Sequence, residues 1–431
     1  MRAVAILGAY ALLVLLPLAV AALADPISAQ RPWSVELASA AGLLALGVVA
    51  LEFALVARLR PVNIPFGSDA LMLFHRKMGI VGLLLVGAHV ALLPLRGSEL
   101  LGLRGSPALR LGALAAWALL LLVALSMGRR KLGVRYERWL FGHRALAAVV
   151  LPAMLVHALG MRAYSESAQV RWAIALHGGL LALVALDYRV RRPLREQRMP
   201  WKVSASSAES ADVWRITLEP DGHAGFRFEP GQFVWLRTSP RWWSSQEHPL
   251  SIASSSEQRA IELAIGARGD WSRRCVAELV PGARAWIDGP YGAFTPDRAA
   301  AERLILIGGG TGIAPLRSIL LSLRDRGDRR PILLVHASKD REHALFAREF
   351  ERVRGALALE IVAVHEPCDG IEGCERGRID RELLQRHVSF DLRRTHAFVC
   401  GPPALMDVVQ DALLGLGLPA ANLHTERFDM V

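Results

Sequence analysis

Apolar residues crowd roughly the first 190 positions of the chain and thin out beyond them. Six apolar stretches stand out there: Val4–Leu23, Leu37–Val56, Leu71–Pro94, Leu109–Met127, Trp139–Leu159 and Val170–Tyr188. Each is close to the ~20 residues a helix needs to cross the hydrocarbon of a bilayer. The pattern therefore predicts a six-helix transmembrane bundle over residues 1–190. Ala22-Leu23-Ala24 resembles a signal-peptide cleavage site. The apolar run before it exceeds the usual core of about 7–15 residues, so a retained first helix is the preferred reading.

Past a short polar hinge, 191–201, the period shortens. Runs rich in β-branched and aromatic residues, broken by Gly and Pro, mark strands at Val213–Leu218, Gln232–Arg237, Leu250–Ala253, Ile261–Ile265 and Ala285–Ile287. They predict a small antiparallel β-barrel over 202–297. From 298 to 431 strands alternate with helices: Leu304–Ile307, Ile332–Val335, Leu359–Val364, and Ala397–Val399 followed by a helix from Ala404. That alternation predicts an α/β domain with a parallel sheet. The fold class expected is a multidomain membrane protein: helical bundle, antiparallel barrel, parallel-sheet domain.

Charge sets the orientation. Arg58, Arg60, Arg76 and Lys77 flank the second connection, Arg129, Arg130, Lys131, Arg135 and Arg138 fill the fourth, and Arg189, Arg191, Arg192 and Arg195 follow the last helix. The alternate loops are poorer in basic residues, so both termini are expected in the cytoplasm and the chain in a bacterial inner (plasma) membrane. The net charge of +11 does not imply a nucleic-acid partner. Only 4 of the 51 basic residues are lysine, and no basic stretch interleaved with aromatics occurs in the polar half. Four cysteines (Cys275, Cys368, Cys374, Cys400) form no CxxC pair, which excludes a zinc ribbon and covalent haem attachment through CxxCH. Cys368 and Cys374 are close enough in sequence to pair, but a disulfide is not expected in a cytoplasmic half.

Histidines supply the first candidate chemistry. His75 and His89 share the third apolar run, and His143 and His157 the fifth; both pairs are 14 residues apart, and both open on His-Arg. Fourteen residues turn a helix by about 1400°, ~40° short of four turns, and advance it ~21 Å. Each helix thus offers two imidazoles on nearly one face, and the two helices run in the same direction. His75 is expected level with His143, and His89 with His157, as two stacked bis-imidazole metal sites in the bundle. A single membrane histidine reads equally as a hydrogen bond between helices; the repeated spacing favours haem ligation. Arg76 and Arg144 read either as partners of haem propionates or as ordinary cytoplasmic-side charges. His177, without a 14-residue partner, reads as a packing residue.

In the polar half, Gly308-Gly309-Gly310-Thr311-Gly312 follows a strand and opens a helix, where glycines and free N–H groups receive a pyrophosphate. It also reads as a plain strand-to-helix turn.

His248-Pro249-Leu250-Ser251, Gly289-Pro290-Tyr291-Gly292, Gly308-Gly309-Gly310-Thr311-Gly312 and Cys400-Gly401-Pro402-Pro403 follow one another in an order that resembles the ferredoxin–NADP reductase superfamily, and the whole chain resembles the ferric reductase/NADPH oxidase family. His248-Pro249-Leu250-Ser251 resembles the superfamily's flavin signature, with His in place of Arg. The resemblance implies that this stretch lies along FAD and that Ser251 approaches flavin N5. Gly269-Asp270-Trp271-Ser272 resembles the segment that holds the FAD pyrophosphate, with Gly269 and Ser272 as binding residues, and Gly289-Pro290-Tyr291-Gly292 the turn that closes the barrel, with Gly289 and Tyr291 as implied cofactor-binding residues. Gly308 to Gly312 resembles the nicotinamide-nucleotide loop, and Cys400-Gly401-Pro402 the element beside the nicotinamide. Glu426-Arg427-Phe428 resembles the C-terminal Glu-x-aromatic whose ring covers the flavin. Ser251, Cys400 and Phe428 are thereby the implied catalytic residues.

The cofactors implied are FAD, two b haems and NADPH (or NADH). Lys339 and Arg341, after the second strand of the nucleotide domain, lean the reading toward a 2′-phosphate, though they also suit a solvated helix start. Electrons would pass from NAD(P)H through FAD to the His75/His143 haem, then the His89/His157 haem, and out to O2 or a ferric chelate. The alternative is an electron-input module for an extracytoplasmic partner protein. Arg96, seven residues beyond His89, reads as an attractor for an anion or O2 or as a helix-end charge at the interface.

Overall fold

The computed structural model describes residues 2–24, 32–129, 131–161, 167–240, 247–366, 368, 373–388 and 390–427. They form two compact units, one built from 1–66 with 70–192, the other from 67–69 with 193–431.

The first unit holds six apolar helices long enough to cross a membrane. They are α1 (Arg2–Ala24), α2 (Trp33–Val56), α3 (Arg60–Leu92), α4 (Pro107–Gly128), α5 (Tyr136–Gly160) and α6 (Ala168–Leu186). Helices satisfy their own backbone hydrogen bonds, which lipid cannot do for them. α3 is broken at Gly67, whose φ of +76° only glycine takes without strain. Leu46 and Val49 of α2, Leu119 of α4, Val150 and Met154 of α5 and Ile174 of α6 pack into one core. Outward-facing Leu84, Phe141 and Trp172 stay exposed, as lipid-facing side chains do. α1 packs against α2 and α6. Gly47 makes the first contact possible, since a Cβ there would sit 2.5 Å from the Val14 carbonyl. The second is tied by His177, whose Nε2 lies 2.8 Å from the Leu13 carbonyl oxygen.

In the second unit the strands build two six-stranded sheets. The first is antiparallel, in the order β4-β3-β6-β1-β2-β5. Its strands are β1 (Trp201–Ala208), β2 (Val213–Pro220), β3 (Phe233–Arg237), β4 (His248–Ser251), β5 (Ile261–Gly266) and β6 (Arg284–Tyr291). An isolated antiparallel bridge joins Ile252 to Leu263, beside the two outer strands of that order. The expected hinge at 191–201 is different: Arg192–Gln197 is a short helix and Trp201 opens β1. β1 escapes the sequence pattern because little besides Trp201 and Val203 points inward from Trp-Lys-Val-Ser-Ala-Ser-Ser-Ala.

The second sheet is parallel, in the order β10-β9-β8-β7-β11-β12. It comprises β7 (Arg303–Gly309), β8 (Ile332–Ala337), β9 (Leu359–His365), β10 (Cys374–Arg376), β11 (Thr395–Cys400) and β12 (Leu423–Glu426). Helix α7 (Asp270–Glu278) belongs to the first sheet's domain, while α8 (Ile313–Asp325), α9 (Ala347–Arg354), α10 (Arg381–His387) and α11 (Pro403–Gly415) cover the second sheet. Cys368 and Cys374 are joined as a disulfide, against expectation. Pairing of β10 alongside β9 brings their Cα atoms to 5.7 Å, within the span a disulfide bridges.

Arg317 of α8 ties the two sheets together from a buried position, 2% exposed. Its guanidinium donates to the Ala253 carbonyl at 2.7 Å, to Glu262 at 2.5 Å and to Glu349 at 2.7 and 3.0 Å. The Phe346 ring lies under it, 4.7 Å from the guanidinium carbon.

Candidate functional site

The bundle brings the four predicted histidines together in two facing pairs. Ring centroids of His75 and His143 are 6.2 Å apart, and those of His89 and His157 6.0 Å. A metal–imidazole bond is about 2 Å; two in line, with the half-width of each ring, span about 6 Å.

Which nitrogen faces the gap is settled by what holds the other. His89 Nδ1 lies 2.7 Å from the Ala38 carbonyl oxygen and His157 Nδ1 2.9 Å from that of Ala108. A carbonyl only accepts, so both rings carry their proton on Nδ1. His143 Nδ1 is 3.1 Å from the Ser126 hydroxyl, whose own hydrogen goes to the Leu122 carbonyl at 2.7 Å. His143 is therefore the donor as well. His75 Nδ1 meets a carboxylate oxygen of Glu52. The rings of His89, His143 and His157 therefore keep an Nε2 lone pair, the arrangement of metal-binding histidines anchored through their other nitrogen. The donor set thus fits two bis-histidine haems.

The anchors repeat. Ala38 and Gly42 stand four apart on α2, as Ala108 and Gly112 do on α4. In each pair the alanine carbonyl holds the ring and the glycine makes room for it. A Cβ on Gly42 would fall 2.9 Å from His89 Nδ1, and one on Gly112 2.5 Å from His157 Nδ1. Sequence reading missed these residues, although small residues four apart on a membrane helix are the available signal. It also missed Glu52, a buried acid inside an apolar run.

In the second unit, His248, Pro249, Leu250 and Ser251 form β4 and are all half-buried. β4 lies beside β3, with Ser251 opposite Phe233. The His248 ring stacks on Trp271 of α7, centroids 3.7 Å apart. Flavin-signature and pyrophosphate segments therefore meet through these two rings, and Trp271 joins the site. Gly269 caps α7, its N–H donating to Ser272 Oγ at 2.9 Å. Free N–H groups at that helix start, with exposed Arg268 and Arg273 beside it, suit an anionic diphosphate.

Gly308 and Gly309 end β7, and Gly310, Thr311 and Gly312 make the turn into α8. Gly310 has φ of +56°. β7 lies next to β11, pairing Gly308 with Cys400. A Cβ on Gly312 would fall 2.5 Å from the Cys400 carbonyl oxygen, and one on Gly401 3.3 Å from the Gly309 nitrogen. The two nucleotide motifs are thus one surface, with Pro402 capping α11 beside it. Thr311 also touches Gly266, linking this loop to the flavin side: a Cβ at Gly266 would lie 3.4 Å from its methyl group.

Two implied residues stand differently from expectation. Tyr291 is 1% exposed with its hydroxyl donating to Asp288 at 2.7 Å. It supports the Gly289-Pro290 turn from within the core and presents no open surface to a cofactor. Cys400 is 1% exposed, and burial, reinforced by Glu426, pushes its thiol well above the usual range. It is a packed thiol beneath the glycine loop, not an open nucleophile. Phe428 lies outside the described residues. Glu426, paired with Cys400 across β11 and β12, faces Gly292, where a Cβ would lie 3.0 Å from its Oε1. Burial raises its carboxyl well above the ordinary value.

Three family models match the chain in succession: a ferric reductase like transmembrane component over 41–154, an FAD-binding domain over 201–295 and an oxidoreductase NAD-binding domain over 306–411. Flavohemoprotein A of Dictyostelium discoideum is 24% identical over 51% of this chain and 57% of its own length. The chain thus spans little more than half of that relative. Sulfhydrogenase 2 subunit gamma of Pyrococcus furiosus is 30% identical over 48% of this chain and 74% of its own. Among solved structures, a flavohemoglobin from Malassezia yamatoensis covers 93% of this chain and 100% of its own at 18% identity, with a TM-score of 0.51. That last likeness is one of fold alone.

Proposed function

The chain belongs to the ferric reductase/NADPH oxidase family, an NAD(P)H-dependent flavoprotein oxidoreductase module fused to an integral membrane domain, and on that premise we propose a transmembrane flavohaem electron path. It runs from NAD(P)H through FAD and two b haems to an acceptor across the membrane, O2 or a ferric chelate. We read 1–190 as the haem bundle, 191–201 as linker, 202–297 as a barrel-type FAD domain and 298–431 as the nucleotide domain. Both termini are assigned to the cytoplasm of a bacterial inner membrane on the basic-residue asymmetry.

One observation carries the reading: two facing histidine pairs, three of the four rings held through Nδ1. When bound, FAD splits a hydride's two electrons into single ones, and haem iron carries them one at a time. The protein's part is placement. Gly308 to Gly312 let the nucleotide backbone approach, β4 lays Ser251 along the flavin, and the bundle holds the imidazoles in an apolar, water-poor setting.

The test is an absorption spectrum of the purified protein. A b-type Soret and α band with two haems per FAD, reduced by NADPH without dithionite, is the expected result. His75→Ala or His143→Ala should lose one haem and keep FAD; a full two-haem spectrum in both variants would overturn the pairing. Aerobic NADPH consumption with superoxide dismutase-sensitive cytochrome reduction identifies O2 as acceptor. Turnover only with an added extracytoplasmic protein would instead make the chain an electron-input module.

A further inference from the structure

His365 closes β9 and is 2% exposed. Cys368 follows three residues later, and Cys374 opens β10. The parallel pairing of β10 with β9 sets Cys374 beside Ala363 and Arg376 beside His365. That register brings both sulfurs to the imidazole: one donor atom from each of the three side chains lies within 4.8 Å of the other two. Cys374 Sγ stands 3.6 Å from His365 Nε2 and 3.8 Å from Nδ1. Both cysteines are half-buried, so the cluster has an inner imidazole and two sulfurs nearer the surface.

Two thiolates and a neutral imidazole suit thiophilic cations such as Zn2+, and not Mg2+ or Ca2+, which take oxygen. Zinc holds sulfur at about 2.3 Å and nitrogen at about 2.0–2.1 Å in a tetrahedron, which sets a sulfur and a nitrogen ligand about 3.5 Å apart. The 3.6 Å between Cys374 and His365 is already that spacing. The two sulfurs are bonded to each other in the structure. Such bonds are rare in a reducing compartment, which is where the second unit is assigned. We propose that His365, Cys368 and Cys374, once the disulfide is reduced, form a thiol-gated site for a thiophilic divalent cation. Opening takes one dithiol reductant: its two thiols become a disulfide, two electrons and two protons pass to Cys368 and Cys374, and their S–S bond breaks. The cation then replaces the two thiol protons. Glu375 adds no fourth ligand, because its carboxylate is taken by Arg386 at 2.8 Å and His387 at 2.9 Å. Three ligands among the described residues leave one position for water or a small anion. The neighbouring peptides fix where binding is felt. Ser338 N–H donates to the Val364 carbonyl at 3.0 Å and Glu366 N–H to that of Lys339 at 3.4 Å, so the residues flanking His365 hold the turn after β8.

The experiment uses the full-length protein in detergent and Zn2+ alone as the probe. The protein is reduced with a dithiol, freed of it anaerobically, and dialysed against Zn2+ with a competing chelator. The expected result is one zinc per chain in the reduced protein and none in protein left oxidised. Zinc-edge X-ray absorption should show two sulfurs at about 2.3 Å. Zinc should also slow alkylation of Cys368 and Cys374, mapped by peptide mass spectrometry. Cys368→Ser and Cys374→Ser should each lose the zinc, and Cys275→Ala should keep it. Where the serine variants do not accumulate, alkylating the reduced wild type before zinc is added makes the same comparison. Reduced protein with free thiols and no zinc would make the cluster a packing contact and overturn the site. Zinc held equally by both serine variants, or without sulfur around it, would be an adventitious ion only. A disulfide that resists the dithiol in the folded chain would make the pair a fixed cross-link and equally overturn the proposal.

Discussion

Gly112 makes room for His157: a Cβ added at this glycine would lie 2.5 Å from the imidazole Nδ1, closer than real Cβ contacts come. The contact is made from the same helix face whose Ala108 carbonyl holds that nitrogen. Displacing the ring disturbs both its angle and its hydrogen bond. Gly112→Ala is expected to weaken haem binding at the His89/His157 site by on the order of 10–100-fold, the usual cost of losing a ligand's supporting contact. Pyridine-haemochrome assay should give close to one haem per FAD, and Gly42→Ala should act on the same site. Two haems at full occupancy in both variants would mean the cradle is not needed.

How much of this was legible beforehand differs by layer. The six spans and the histidine ladder follow from hydropathy and a helical repeat, which a linear sequence displays directly. The carbonyls of Ala38 and Ala108 could not be read in that way, because every residue has one and only the packing of α2 and α4 against the histidine helices selects these two. The parallel sheet was visible from β7, β8, β9 and β11, each an apolar run, whereas β10 and β12 are short and half-buried and carry no such signal. Trp271 was inside a quoted motif yet unassigned, since its role emerges only when β4 and α7 bring it onto His248. Cys400 and Tyr291 were overvalued for a related reason: a motif reports that a residue is needed, not whether it touches a ligand or supports the backbone that does.

Ser251 sits half-buried on β4, an outer strand in the order of the first sheet, opposite Phe233. Its hydroxyl is the group assigned to flavin N5. Ser251→Ala should slow flavin reduction by NADPH in stopped-flow, on the order of the 10²-fold associated with a lost positioning or proton-handling group, with haem and FAD content unchanged. Unaltered hydride-transfer kinetics would remove Ser251 from the reaction.

Trp271 and His248 stack with ring centroids 3.7 Å apart between the flavin strand and the cap of α7. Trp271→Ala removes the larger ring and the contact that joins the two segments. FAD affinity should fall, by about fivefold if the stack contributes the ~1 kcal/mol typical of an aromatic pair. Fluorescence of released FAD on dilution measures it, and haem content should not change.

Arg317 joins Glu262, Glu349 and the Ala253 carbonyl across the two sheets while almost wholly buried. Removing one partner of a buried ionic cluster leaves charges unpaired and typically costs about 3–5 kcal/mol. Arg317→Met should therefore lower the thermal midpoint for FAD release by several degrees. A triple change that also neutralises Glu262 and Glu349, to Gln, should recover part of the loss, because the orphaned carboxylates are gone.

Glu426 is buried at the junction of the Gly292 turn and the Cys400 strand, its Oε2 without a hydrogen-bond partner among the described residues. Desolvation raises its carboxyl well above 4.5 in the folded chain. The folded state then holds a proton that the unfolded state has released, over the interval from 4.5 up to the raised value. Within that interval stability falls as pH rises, and below it the penalty is absent. Glu426→Gln carries no ionisable group and should flatten this slope, leaving the variant relatively more stable than the wild type at the alkaline end. Thermal midpoints of FAD release measured from pH 5 to 9 test it; parallel curves for the two proteins would show that Glu426 is ionised, and paired, in the fold.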